Sequence, residues 1–190
     1  MTKNRLEAFS DGVLAIIITI MVLELKVPHG VDLASLKPLL PVFMSYVLSF
    51  IYIAIYWNNH HHMLHAATSV NGPILWTNSM LLFSLSLIPF TTAWMGENHL
   101  ATWPVALYGI VLLMAALSYY LLAHCLTDLH GRDSGFAKAL GSDTKGKISI
   151  LLYIAGIFSS FLTPYVGVGF YIFVAILWFI PDKRFEKGTA

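Results

Sequence analysis

The sequence predicts an all-α integral membrane protein with six transmembrane helices per subunit and both termini in the cytoplasm. Of its 190 residues, 57% are hydrophobic and only 11% are charged, whereas a soluble domain carries about 25% charged residues. Uncharged runs that can supply helices of roughly 20 apolar residues recur along the whole chain. The basic residues concentrate in every second segment between these runs, which places most of them on one side of the membrane.

The same composition excludes several classes of protein. The hydrophobic content excludes a disordered chain, and a net charge of +1 excludes the basic surface of a nucleic-acid-binding protein. The single cysteine, Cys125, excludes an intramolecular disulfide and a zinc ribbon. We therefore expect the lipid bilayer, and no nucleic acid, as the environment of this chain.

We expect a single six-helix transmembrane unit over residues 1–190, with no extramembrane domain. Its predicted spans are about 5–27, 38–61, 73–94, 99–126, 148–163 and 165–181. Pro38 and Pro73 suit a first helical position, where no backbone N–H is needed. No charged residue lies between Pro38 and Gly96, and Asn71-Gly72-Pro73 predicts the turn that divides this long run.

The last two spans are short. The uncharged run 148–181 exceeds one helix, and we expect Thr163-Pro164, together with Gly167 and Gly169, to break it. A re-entrant pair of helices is the alternative for this part of the chain. The longest predicted loop is 127–147.

Charge placement supports an even number of crossings. With a cytoplasmic N-terminus, nine basic residues lie on that side, against Lys26 and Lys37 on the other. This asymmetry follows the positive-inside rule. The nine are Lys3, Arg5, Arg132, Lys138, Lys145, Lys147, Lys183, Arg184 and Lys187.

The first span carries charged residues close to membrane depth. Asp11 and Glu24 flank only the twelve residues 12–23, fewer than a bilayer core needs. Ionisable groups at that depth suggest function. The alternative is a helix cap at Ser10 or Asp11, with Arg5 simply in the cytosol.

One stripe of the first span is aliphatic except for a single hydroxyl. Ile16, Thr19, Ile20 and Leu23 follow the spacing i, i+3, i+4, i+7 of one helix face. The stripe can pack against another helix, with Thr19 bonded to its own backbone. It can also line a narrow hydrophobic pore assembled from several subunits.

A histidine cluster follows the second span. His61 and His65 have the i, i+4 spacing of metal ligands, but no Cys, Asp or Glu lies nearby in the sequence to complete a site. A metal or haem site and simple hydrogen bonding at a helix end are the alternatives. If His61 pairs with Asp11, we expect a pH response, since the ordinary pKa of histidine lies near neutral pH.

The opening segment Arg5-x-x-x-Phe9-Ser10-Asp11 resembles the signature of the transmembrane protein 175 family of potassium channels. The similarity continues through the first three spans. The matching segments are Phe9–Ile16 with Glu24, Tyr56-Trp57-x-x-x-His61, Trp76-x-Asn78 and Leu87-Ile88-Pro89-Phe90.

The resemblance implies a homotetramer in which the first helix of each subunit lines a central pore. Ile16 then forms the narrowest ring, Thr19 a hydroxyl ring, and Ile20 and Leu23 further wall. The motif implies a network that holds this helix to its neighbours, made by Arg5, Phe9, Ser10, Asp11, Trp57, His61 and Asn78.

The function implied is a potassium-permeable channel, weakly selective for K⁺ over Na⁺, in a prokaryotic inner membrane. It needs no cofactor and is not an enzyme. A secondary transporter and a His-ligated metal or haem protein are the alternatives. A transporter needs a substrate site near mid-membrane, and the sequence shows no paired charges at that depth.

Overall fold

Helices make up most of the structure. The computed structural model describes residues 2–131, 133–141 and 143–179, and those residues contain no strand. The elements are α1 (Lys3–Leu23), a 3₁₀ helix (Leu33–Leu39), α2 (Leu40–Ala66), α3 (Gly72–Ser86), α4 (Ile88–Glu97), α5 (Thr102–His130), α6 (Gly135–Leu140), α7 (Thr144–Ser160) and α8 (Pro164–Phe179). The predicted all-α class is confirmed.

α1 buries one face and leaves the other open. Its buried residues are Leu6, Ser10, Leu14, Ile17 and Met21, a spacing of three or four that defines one stripe of an α-helix. This stripe packs on α2, α3 and α4. The helix ends at Leu23 rather than at the predicted position 27.

The second span begins later and ends later than predicted. The residues before it form the 3₁₀ helix, which Asp32 caps by accepting a hydrogen bond from the Ser35 backbone N–H at 3.1 Å. The proline in the first turn of α2 is therefore Pro41, not Pro38. At the other end, α2 continues to Ala66 because Met63 and Leu64 remain buried in the bundle.

The third span is divided into two helices. Asn71 caps α3 by accepting a hydrogen bond from the Ile74 N–H at 3.2 Å, so the turn predicted at 71–73 is present. The helix is interrupted at Leu87, and α4 restarts with Pro89 in its first turn. Because proline has no backbone N–H, it breaks the hydrogen-bond ladder there.

α5 begins at Thr102 rather than at His99. His99 and Leu100 adopt φ values of 49° and 59°, which a right-handed helix cannot contain. At its other end, α5 stops before Gly131, where φ is 87° and glycine is the favoured residue. The predicted loop 127–147 thus contains the end of α5, α6 and the start of α7.

α7 and α8 form a helical hairpin joined by residues 161–163. The break predicted at Thr163-Pro164 occurs there, but Gly167 and Gly169 lie inside α8 and do not break it. A Cβ at Gly167 would clash with Ser160 Oγ and would stand 2.9 Å from the Gly156 carbonyl oxygen. Glycine therefore permits the close approach of the two helices. The predicted end of this span, Pro181, lies outside the described residues.

Gly167→Ala is expected to destabilise the protein by about 1–3 kcal/mol, because the added methyl overpacks a contact with backbone. Gly169→Ala is the matched control, since a Cβ there meets nothing within 4 Å. That variant should be neutral or slightly stabilising, as alanine is the better helix former. Thermal unfolding in detergent measures both. Equal stability of the two variants would contradict the close packing at Gly167.

Contacts between helix ends show which ends lie together in the bundle. Lys3 donates to carbonyl oxygens at the end of α2, and the Thr68 N–H donates to His130 at the end of α5. The Trp178 Nε1–H of α8 donates to Ser149 Oγ of α7 at 2.8 Å. The start of α1 and the last described turn of α8 therefore lie at the same end of the bundle.

Most described basic residues gather at that end. They are Lys3, Arg5, Lys138, Lys145 and Lys147, whereas Lys26 and Lys37 lie at the other end. Arg132, Lys183, Arg184 and Lys187 belong to the same prediction but lie outside the described residues.

Within the described part of the chain, four helical stretches are long and apolar enough to cross a bilayer. They are Lys3–Leu23, Leu33–Ala66, Gly72–Glu97 and Thr102–His130, and the apolar helix Pro164–Phe179 is shorter. α7 has 17 residues and carries Lys145 and Lys147 in its first turns. The chain is therefore a membrane protein with several apolar helices.

Candidate functional site: the first helix and its polar anchors

The stripe predicted on the first helix lies on the open face of α1. Ile16 is 59% exposed, Ile20 43% and Leu23 80% in the isolated subunit. Thr19 lies among them and donates its hydroxyl proton to the Ile16 carbonyl oxygen at 2.8 Å. The stripe is turned away from the buried face of α1 and is largely exposed in the subunit.

A shallow groove borders this stripe on the side of α4. Ile16, Ile20 and Glu24 line one wall, and Pro89 and Phe90 line the other. The surface is apolar over most of its length and ends at the Glu24 carboxylate. The stripe is therefore an aliphatic surface with one acidic group at the end of α1.

Beneath the stripe, α1 is tied to α3 and α2 by a buried chain of hydrogen bonds. The Asn78 amide donates to Ser10 Oγ at 3.0 Å, and Asn78 Oδ1 is 2.7 Å from His60 Nε2. Ser10 and Asn78 are fully buried, and His60 is nearly so. The Ser10 hydroxyl donates in turn to the Leu6 carbonyl oxygen at 2.9 Å. Each of the three side chains thus has at least one hydrogen-bond partner within the subunit.

A second contact joins α1 to α2 nearer the surface. The Trp57 indole N–H donates to Asp11 Oδ1 at 3.0 Å. The His61 ring stacks on Trp57, with centroids 6.2 Å apart and planes at 23°. The structure thus brings Asp11, Trp57 and His61 together at one edge of α1.

Arg5 and Phe9 do not join either group. Both are exposed, and Phe9 shows 56% of its surface. Among the described residues Arg5 forms no ion pair with Asp11, whose hydrogen-bond partner is Trp57. Arg5 and Phe9 instead extend the open face of α1 toward the N-terminus, on the same side as Ile16.

The histidine that enters the buried network is His60, which sequence reasoning missed. α2 buries Ile53, Tyr56, His60 and Met63, positions that repeat at helical spacing. His61 lies next to this stripe and is exposed. The phase of the buried aromatic residues along α2 is the signal that would have selected His60.

His60→Ala is expected to lower the free energy of unfolding by about 1–3 kcal/mol, because Asn78 Oδ1 is left buried without a partner. His61→Ala should stay within about 0.5 kcal/mol, as expected of an exposed position. Thermal or denaturant unfolding of the two variants provides the comparison. A larger loss from His61→Ala would show that the buried network is not the one that holds α1.

Two lysines anchor the ends of α1. Lys3 Nζ donates to the carbonyl oxygens of His65 and Ala67, each at 3.0 Å. Beyond the other end, Lys26 pairs with Glu97 at 2.5 Å. The hydrogen bond and negative charge of Glu97 raise the pKa of Lys26 above its usual value. No local pattern in the sequence predicts either contact.

The histidine cluster does not assemble a metal centre in the described part of the chain. No group of three or more His, Cys, Asp or Glu side chains is placed there to hold a metal ion. His61 stacks on His65 with ring centroids 6.0 Å apart. The cluster is thus a ring stack along the exposed side of α2.

These features define a helical membrane protein whose first helix is anchored on one side and open on the other. The sequence profile described as "Endosomal/lysosomal potassium channel TMEM175" matches residues 5–89, the segment that holds every predicted site residue. A potassium channel of Chryseobacterium sp. (strain P1-3) is 57% identical over 188 residues, covering 99% of this chain and 98% of that protein. The chain therefore belongs to the TMEM175 family of potassium channels.

Two further relatives agree with this assignment. A potassium channel of Streptomyces collinus is 34% identical over 136 residues, which are 66% of this chain and 65% of that protein. The crystal structure of a lysosomal potassium-selective TMEM175 homologue from Chamaesiphon minutus superposes with a TM-score of 0.80 at 29% identity, covering 95% of this chain and 97% of that one. These relatives are ion channels, so the prediction of a non-enzymatic protein is confirmed.

Proposed function

We propose that four copies of this chain form a potassium-permeable channel whose pore is lined by the open face of α1. The observation that carries the proposal is the exposed stripe of Ile16, Thr19, Ile20 and Leu23 on a helix fixed from behind by buried hydrogen bonds. The choice of potassium as the permeant ion rests on the relatives that are named potassium channels.

The composition of the open face supports α1 as a contact between subunits. The apolar windows of α1 and of the span Leu33–Ala66 are each 28% buried within the subunit, against 50% for α5, so burial alone does not distinguish α1. Lipid could cover a purely aliphatic surface, but this face also carries Arg5 and Thr19. Charged groups of a membrane helix usually face a protein interior or water. A central pore satisfies that preference.

The chemistry of the stripe favours modest selectivity. A ring of isoleucines offers no ligand to an ion, so discrimination follows the cost of removing hydration water, which is lower for K⁺ than for Na⁺. The Thr19 proton is committed to the Ile16 carbonyl, which leaves the hydroxyl oxygen lone pairs free to accept a cation. Thr19 would thereby replace part of the hydration shell.

The same proposal includes six crossings, cytoplasmic termini and an inner-membrane location. α1, α2, the α3–α4 pair, α5, α7 and α8 alternate in direction, and the basic end of the bundle carries the start of α1. That end faces the cytoplasm if the positive-inside rule applies. No cofactor is required for passive conduction.

Potassium flux from liposomes that contain the purified protein tests the proposal. We expect unitary currents in planar bilayers and a particle mass in detergent that corresponds to four chains. Flux that saturates at low turnover without unitary currents would favour a secondary transporter. An absence of ion flux from well-folded protein would overturn the proposal. A visible absorbance band in the purified protein would then favour a His-ligated metal or haem protein.

A further inference from the structure

The open face of α1 ends in a carboxylate. Glu24 follows Ile16 and Ile20 at steps of four residues, and its backbone keeps the helical conformation, with φ −75° and ψ −11°. The three side chains therefore lie in one row, and all three line the groove beside α4. Glu24 is exposed and forms no ion pair with any described residue. Its charge is therefore open to the space in front of the stripe.

The stability of α1 does not explain a carboxylate at this position. Glu24 is the C-terminal cap residue of α1, and the last turn of the helix contains no basic residue. The unpaired carbonyl groups at a helix C-terminus carry a partial negative charge, which repels a carboxylate. Glu24 thus adds to the negative potential at this end of α1 instead of compensating it.

The nearest basic residue along the chain is held by another acid. Lys26 pairs with Glu97, the last residue of α4. The hydrogen bond and the charge of Glu97 are the main causes that raise the pKa of Lys26 above its usual value, whereas the charge of Glu24 contributes less. Glu97 therefore neutralises Lys26, and the charge of Glu24 remains uncompensated.

The end of the bundle that contains Glu24 carries a net negative charge. Its described charged residues are three acids and two lysines, which gives −1 per subunit with histidine neutral: Glu24, Lys26, Asp32, Lys37 and Glu97. Asp32 and Lys37 belong to the connection between α1 and α2. Of these five residues, Glu24 is the one that lines the groove with the stripe.

We infer that Glu24 of each subunit contributes to an anionic ring at the mouth of the pore, which concentrates K⁺ there and sets the preference for cations over anions. The inference rests on the proposed tetramer with α1 along the pore. A ring of carboxylates attracts cations and repels anions through its field. The Ile16 ring then discriminates between K⁺ and Na⁺ by the cost of dehydration, whereas the Glu24 ring discriminates by the sign of the charge.

Single-channel recording of the full-length protein in planar bilayers tests the ring. At about 10 mM KCl, where the Debye length is about 30 Å, Glu24→Gln should lower the unitary K⁺ conductance about threefold. At about 1 M KCl, where that length falls to about 3 Å, the variant and the wild type should conduct alike. The reversal potential in a KCl gradient should shift toward that of chloride, while the ratio of K⁺ to Na⁺ permeability stays unchanged.

A second measurement separates this role from a structural one. The thermal stability of Glu24→Gln in detergent should not fall, because the change removes a repulsion at the C-terminus of α1. Asp32→Asn is the matched control, since it removes a carboxylate at the same end of the bundle and asparagine also caps helices. Asp32 is not among the residues that line the groove, so this variant should keep the wild-type conductance at low salt.

The inference is overturned if the wild type conducts and Glu24→Gln keeps its conductance at low salt, or if the loss is the same at both salt concentrations. An equal loss in Asp32→Asn would also overturn it. None of these results removes the pore along α1, which Ile16→Asn tests through flux and the preference for K⁺ over Na⁺. An absence of current from the wild type overturns the proposed function, and the ring with it.

Discussion

Replacing Ile16 with asparagine is expected to raise potassium flux about tenfold, a barrier lower by about 1.4 kcal/mol, and to reduce the preference for K⁺ over Na⁺. A ring of isoleucine side chains excludes water when it is narrow, and an amide in each subunit keeps the constriction wet. Flux from liposomes gives the rate, and the reversal potential under K⁺ and Na⁺ gradients gives the selectivity.

Ile176→Asn provides the control for this experiment. Ile176 is 63% exposed, close to the 59% of Ile16, but it lies on α8. The same polar change there should leave flux and selectivity unaltered. If wild-type protein conducts and Ile16→Asn behaves like Ile176→Asn, the pore lies along another helix.

Helical periodicity accounts for most of what could be predicted about α1. The i, i+3, i+4, i+7 spacing placed Ile16, Thr19, Ile20 and Leu23 on one face, and the structure has them together on the open side. The phase of a helix is a local property, so sequence spacing is sufficient to define it. Which face meets its own subunit depends on the neighbouring helices, and the sequence left that choice open.

Contacts between helices were less predictable. The motif selected His61, which stacks on Trp57, but did not identify His60, which lies one residue or 100° of helix rotation away and enters the buried network. A motif gives spacing but not the direction of burial. The ends of the spans depended on backbone conformations at His99 and Leu100 and on the 3₁₀ helix before Pro41. Lys3 reaches carbonyl oxygens 62 and 64 residues away, a contact that exists only once the bundle has formed.

Asn78→Leu is expected to lower the free energy of unfolding by about 2 kcal/mol, because the change keeps the side-chain volume but removes both hydrogen bonds of the buried network. Ser10 retains its bond to the Leu6 carbonyl, so the larger part of the loss should come from His60. Ser79→Ala is the control on the same helix, since Ser79 is exposed and its hydroxyl donates to the Leu75 carbonyl oxygen of that helix. Denaturant unfolding in detergent measures the three proteins.

A double-mutant cycle then isolates the contact between α1 and α3. Ser10→Ala and Asn78→Leu should be less than additive, with a coupling energy of about 0.6 kcal/mol, the average for hydrogen bonds between membrane helices. Strict additivity would mean that the bond contributes nothing to holding α1. A loosened α1 should also disturb the ring at Ile16. Asn78→Leu should therefore reduce potassium selectivity although it lies behind the stripe, whereas Ser79→Ala should not.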